Sequence, residues 1–90
     1  MYSLSYTNKF EKSLKLCKKR GLNLELLKTA IETLVLKGVL PPKYKPHKIS
    51  GNYAGLWECH IKADWLLIWK QNNKEMTLLI IDTGSHSDLF

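Results

Sequence analysis

The hydrophobic period of this chain changes once along its length. As far as Gly38, apolar residues recur at helical spacing; from Leu56 onward they alternate, as they do in strands. Between the two lies "VLPPKYKPHKISGNYAG" (39–55), which holds all three prolines of the chain. A chain of 90 residues has room for one core. Helices segregated from strands in so short a chain imply an α+β domain spanning 1–90, with the helices laid on one face of a sheet.

Local signals fill in the order β-α-α-β-β-β. "YSLSY" (2–6) alternates and reads as a first strand. Asn8 with Glu11 matches a capping box, and Phe10, Leu14 and Cys17 follow at helical spacing. "KKRG" places cations at a helix end before a Gly21 stop. Asn23 is a second N-cap, and Leu26, Leu27, Ala30, Ile31, Leu34 and Val35 form the stripe of a second helix, ending at Lys37-Gly38. The 39–55 stretch reads as one long loop, and loops of that length in small domains are often functional.

Three strand-like runs follow: 56–62, 65–70 and 76–82. Lys62-Ala63-Asp64 makes a tight hairpin, and 71–74 a second turn. Alternation puts Trp57, Cys59 and Ile61 on the core face, and Glu58, His60 and Lys62 in a row on the other. Trp65, Leu67 and Trp69 share a face and read as core. The last run is apolar on both sides, as a covered strand is.

The charge is uneven. Residues 1–48 carry 11 Lys/Arg against 3 acids (net +8), and residues 49–90 carry 3 against 5 (net −2), which sum to the overall +6. A basic front half suits a polyanionic or acidic partner, though solvated helix faces have the same composition. No apolar run is long enough for a membrane span, and the start lacks the pattern of a signal peptide, so a cytoplasmic protein is expected. Cys17 and Cys59 read as reduced thiols acting as small core residues.

The reactive groups are His47, Glu58, His60, Asp64 and His86. No CxxC, HExxH or His-x3–5-His spacing occurs, and the adjacent Cys59 and His60 face opposite ways on a strand, so no metal or other cofactor is expected. Cys59 falls in the apolar set, which argues against a thiolate nucleophile. Acid–base chemistry on a polyanion fits the imidazoles better: one can accept a proton while another donates one, and lysines can hold phosphates. Each residue also has a structural reading, with His86 in a turn and Glu58–Lys62 as a salt-bridged surface.

"KPHKISGNYAGLWECHIKADWLLIWK", followed by "TGSHSDLF" at the end of the chain, resembles the YafQ branch of the RelE/ParE toxin superfamily. The shared marks are a histidine loop, an acid-x-His strand, an Asp-Trp hairpin and a Gly-Ser-His-Ser-acid-Leu-Phe tail. The resemblance covers nearly the whole chain, and the tail is its most specific part. It implies a RelE-like domain with two N-terminal helices on one face of a mainly antiparallel, twisted sheet. It also implies the toxin of a bacterial type II toxin–antitoxin pair: a metal-independent endoribonuclease that cleaves mRNA, often on the 70S ribosome, and is silenced by an acidic, partly disordered antitoxin. The reaction is attack of a ribose 2′-OH on the adjacent phosphorus, which leaves a 2′,3′-cyclic phosphate.

By the same resemblance, His47, Glu58, His60, Asp64, His86 and Phe90 form the catalytic set. His86 is the general acid, His47 with Glu58 or Asp64 forms the base side, and Phe90 stacks on or positions a base. Apart from the resemblance, and with no motif behind them, Lys45, Lys48, Lys62 and Tyr53 are candidate RNA contacts. The chain departs from the family pattern in two places. Ala63 stands where a proline usually precedes the hairpin aspartate, a small change in turn stiffness on this reading, and Asp82 stands near the place of a usual arginine. Two other classes remain open: a ParE-like toxin that binds a protein such as gyrase without chemistry, and a non-catalytic RNA-binding module.

Overall fold

A computed structural model of the chain describes residues 1–51 and 55–90. Strand β1 (Ser3–Tyr6) leads into helices α1 (Asn8–Lys19) and α2 (Leu24–Lys37). A 3-10 turn at Pro42–Tyr44 precedes the short strand β2 (His47–Lys48). Strands β3 (Trp57–Lys62), β4 (Trp65–Asn72) and β5 (Thr77–Gly84) follow, and a single helical turn, α3 (His86–Leu89), ends the chain. The sheet order is β1-β5-β4-β3-β2, with β1 parallel to β5 and every other pair antiparallel. The α+β class and the placement of the helices match the sequence reading. The 39–55 stretch, read as loop, holds an edge strand as well, and the tail holds a helical turn.

The helices form where their sequence signals lie, with one displaced cap. The N-cap of α1 is Thr7, not Asn8: its hydroxyl accepts from the Phe10 N–H (3.0 Å) and donates to the Ile81 carbonyl (2.6 Å). The Thr7 N–H is still bound to Ile80, so the chain leaves the sheet at Thr7 and the helix begins one residue later. Asn23 caps α2 through the Glu25 N–H. Gly38 ends α2 in the left-handed conformation (φ 71°), and any Cβ there would lie 2.5 Å from the Tyr2 ring. Only glycine fits that combination.

One face of the sheet carries the main core. Phe10 and Cys17 of α1 and Leu27, Ala30, Ile31 and Leu34 of α2 pack on Cys59, Trp65, Leu67, Trp69, Leu78 and Ile80. The opposite face carries a smaller apolar cluster, in which Leu66 and Ile68 are covered by Leu89 from α3. Strand β1 pairs only with 77–80, so the later part of β5 adjoins α1 instead. The result is a sheet with helices on one face and a partly open second face, closed at one end by the tail.

Candidate functional site

Two imidazole–carboxylate pairs lie along this second face. The first comes from the edge of the sheet. Register places His47 of β2 opposite Glu58 of β3, and His47 Nε2 lies 3.2 Å from Glu58 Oε1. His47 Nδ1 lies 2.8 Å from the Lys45 carbonyl. A carbonyl oxygen only accepts, so Nδ1 carries a hydrogen and donates it. The other nitrogen then faces a second acceptor, a carboxylate oxygen. His47 and Glu58 thus form one imidazole–carboxylate pair, with the Glu58 side chain 8% exposed and the His47 ring half exposed.

The second pair joins the β3–β4 turn to the tail. Asp64 accepts from the His86 backbone N–H (3.1 Å) and from His86 Nδ1. These two bonds from His86 hold the Asp64 carboxyl below its ordinary pKa. With Nδ1–H committed to the carboxylate, Nε2 is the nitrogen left for chemistry. The His60 ring stands 6.1 Å from the His86 ring, and the Phe90 ring 6.3 Å from it on the tail. Glu58 and His60 are two residues apart on one strand, about 7 Å by strand geometry. The order along the face is His47–Glu58, His60, then His86–Asp64 with Phe90.

Other expected residues are placed differently. Lys48 pairs with Trp57 and sets its ammonium 5.8 Å from that ring's centroid, away from the face that carries Glu58. Lys62 was expected in a row with Glu58 and His60. A bulge between His60 and Lys62 breaks the alternation: His60 pairs with Leu66 but Lys62 pairs with Trp65, a residue of the helix-side core. Lys62 thus turns to a groove by Arg20, Asn23 and Leu26. Lys45 meets the site through its carbonyl. Tyr53 lies outside the described residues. Asp64, offered beside Glu58 as a partner of His47 on the base side, is bonded to His86 instead.

The two departures from the family pattern acquire physical meaning. Ala63 has φ 47°, a backbone that proline, held near −65°, cannot adopt, so the turn differs in kind rather than in stiffness. Asp82 is buried beside α1, where it accepts from the Ser13 hydroxyl (2.5 Å) and the Thr83 N–H (2.9 Å) and pairs with Lys9 (3.5 Å). It fastens α1 to the stretch of β5 that β1 leaves unpaired. The apolar placement of Cys59 holds as well: burial, with a smaller contribution from Glu58, pushes its thiol up to about 12, so it is no nucleophile at neutral pH.

Sequence reasoning missed Arg20 and Asp88. Asp88 closes a capping box with Ser85 at the start of α3 and receives a two-pronged bond from Arg20 (2.6 and 3.2 Å). The Arg20 bond, aided by the Ser85 N–H, holds the Asp88 carboxyl far below the usual range. The Ser-x-x-Asp spacing was a readable signal for the box. Nothing in the sequence links Arg20 to a residue so distant along the chain.

Known proteins are similar to this chain in sequence and fold. The family model described as the bacterial toxin of a type II toxin–antitoxin system, YafQ, matches residues 2–90. The mRNA interferase toxin YafQ of Escherichia coli K12 is 33% identical over 88 residues, covering 97% of this chain and 94% of its own. A metal-bound toxin from Helicobacter pylori superposes with a TM-score of 0.90 at 39% identity, with both chains fully covered. The YafQ chain of the E. coli DinJ–YafQ complex gives a TM-score of 0.90 at 31% identity, covering 100% of this chain and 99% of that one. With a family model matched from end to end and the tail, hairpin and loop motifs brought to one sheet face, this chain belongs to the YafQ family of type II toxin–antitoxin toxins.

Proposed function

We propose that residues 1–90 work as one endoribonuclease toxin that cleaves mRNA by acid–base chemistry, in the cytoplasm and on translating ribosomes. The observation that carries this reading is the pair of imidazole–carboxylate units flanking His60 on one open face. A reaction at phosphorus needs a proton taken from the 2′-OH and a proton given to the departing 5′-oxygen. Two separate proton-holding units on one surface suit those two tasks.

His86 is the acid: Asp64 fixes its tautomer and supports the imidazolium, and Nε2 delivers the proton. His47 with Glu58 forms the base side, where the imidazole–carboxylate pair takes the proton of the 2′-OH. His60 stands between them and donates to a phosphoryl oxygen as charge develops there. Phe90 offers its ring to a neighbouring base. The step yields a 2′,3′-cyclic phosphate and a 5′-hydroxyl. The metal-bound H. pylori relative raises the question of a cation in this chain. Among the described residues, no three His, Cys, Asp or Glu side chains gather as a ligand set, and no step is assigned to a metal.

The E. coli relative assembles with DinJ, and by family membership this chain has its own antitoxin. An acidic segment would meet the basic α1 surface, which carries Lys9, Lys12, Lys15, Lys18 and Lys19. The deciding experiment expresses wild type and His86→Ala in a bacterium and follows growth and mRNA integrity by primer extension. Wild type should arrest growth and cut messages, and His86→Ala should do neither. Equal toxicity with intact mRNA in both would sink the nuclease reading.

A further inference from the structure

We propose that Arg20, the sole arginine of the chain, is a positioning residue: through Asp88 it clamps the terminal turn so that His86 and Phe90 stay over the sheet face. This rests on the reading of His86 as a working group. The turn that carries both rings has four residues, His86–Leu89. One helical turn does not hold itself, because nucleation fixes several backbone angles for a single hydrogen bond. Its order must come from outside contacts.

Leu89, Asp64 and Arg20 supply such contacts, and a capping box adds local support. Leu89 plugs into the Leu66 and Ile68 cluster. Ser85 and Asp88 close the capping box, with the Ser85 N–H donating to Asp88 Oδ2 (2.9 Å). Arg20 then grips both Asp88 oxygens at 2.6 and 3.2 Å. Leu89 fixes depth but leaves rotation about its own side chain, and the capping box is local to the turn. Asp64 holds His86 to the β3–β4 turn through its backbone N–H and Nδ1, and Arg20 ties the other side of the turn to α1. Arg20 caps the C-terminus of α1, whose Cys17 is wholly buried and whose N-cap is fastened to β5. The clamp therefore runs from core to α1, to Arg20, to Asp88, to His86.

The fork geometry matters here. A guanidinium with two bonds to one carboxylate fixes orientation, whereas an ammonium supplies one point charge. The fit is also close: a Cβ on Gly84 (φ 156°) would stand 2.9 Å from Asp88 Cβ. The two side chains are 45% and 26% exposed, and surface pairs of this kind add little to global stability. A clamp and a mere surface salt bridge therefore predict different results. The clamp moves catalysis with little change in melting temperature.

The test compares purified wild type, Arg20→Gln, Arg20→Lys, Asp88→Asn and His86→Ala. Each is assayed for cleavage of a defined mRNA in a reconstituted bacterial translation reaction, and the foldable variants are followed by 15N NMR of the His86 imidazole. For Arg20→Gln we expect kcat to fall roughly ten- to a hundredfold, as for a misplaced catalytic group, with KM changed less than about twofold. Arg20→Lys should fall between the two. The His86 Nδ1 resonance should lose its hydrogen-bonded position in Arg20→Gln and Asp88→Asn while the melting temperature moves by only a few degrees. Wild-type kcat and an unmoved His86 resonance in Arg20→Gln would overturn the clamp. A loss explained entirely by unfolding would do the same. His86→Ala separates the two ideas: full activity there defeats the acid–base reading, whereas a dead His86→Ala beside a fully active Arg20→Gln defeats only the clamp. Should Arg20→Gln fail to fold, Arg20→Lys and Asp88→Asn carry the same comparison.

Discussion

His47 is held between two acceptors, the Lys45 carbonyl at 2.8 Å from Nδ1 and the Glu58 carboxylate at 3.2 Å from Nε2. In the proposed base role this pair takes the 2′-OH proton. Glu58→Gln keeps the shape of the side chain and removes its capacity to take that proton. We expect kcat to drop roughly a hundredfold with folding intact, and one limb of the pH profile of kcat/KM to vanish. A profile that keeps both limbs would place the base elsewhere.

His86 and Asp64 make the complementary test. Both His86 donors lower the Asp64 pKa from its ordinary 3.8. A depressed carboxylate contributes stability that is complete above the unfolded value and lost as pH falls through the folded one. The pair is thus intact at neutral pH and opens only in acid, below about pH 4. Asp64→Asn should lower kcat at neutral pH by roughly 10² or more. It should also shrink the difference in urea midpoint between neutral and acid conditions. An unchanged midpoint difference would mean that the pair does not contribute to stability.

Much of this arrangement could be read along the chain, and the exceptions share a cause. The α2 stripe, the Asn23 cap and the Gly38 stop depend on residues within a turn or two, so they are visible locally. The tail, hairpin and loop groups were recognised as one set by resemblance. Alternation alone put Lys62 beside His60, and a bulge of one residue moved it to the other side. Alternation also gave no hint that His47 lies in a strand, because β2 is only two residues long and owes its existence to β3. Asp82 misled for the same reason: its role is set by Ser13 and Lys9, which are distant along the chain and adjacent only once α1 lies against β5.

Trp65 and Thr83 form a buried bond just beneath the site. The indole N–H donates to the Thr83 hydroxyl (2.9 Å), which donates in turn to the Leu66 carbonyl (2.6 Å). Thr83→Val fills nearly the same space and strands both the indole N–H and the carbonyl. A loss of about 1–3 kcal/mol is expected for such orphaned groups. Urea unfolding would show it as a lower midpoint with an unchanged slope. A midpoint equal to wild type would mean that water or a rearranged partner satisfies the indole.

Asp82 allows the family departure to be tested directly. If the acid merely occupied the place of a missing catalytic arginine, Asp82→Arg would restore a phosphate-binding cation and speed cleavage. The structure predicts the opposite. The Asp82 side chain is 5% exposed and accepts from Ser13 and from the Thr83 N–H. An arginine there would leave both donors without an acceptor and bury a cation beside Lys9. The milder Asp82→Asn keeps an oxygen for both donors, which meet the same atom, and loses only the Lys9 pair and the charge on the acceptor, so about 1 kcal/mol is expected. Asp82→Arg should unfold at lower urea than Asp82→Asn and cleave mRNA no faster than wild type per folded molecule. A stable Asp82→Arg with raised kcat would show that this end of β5 faces the substrate after all.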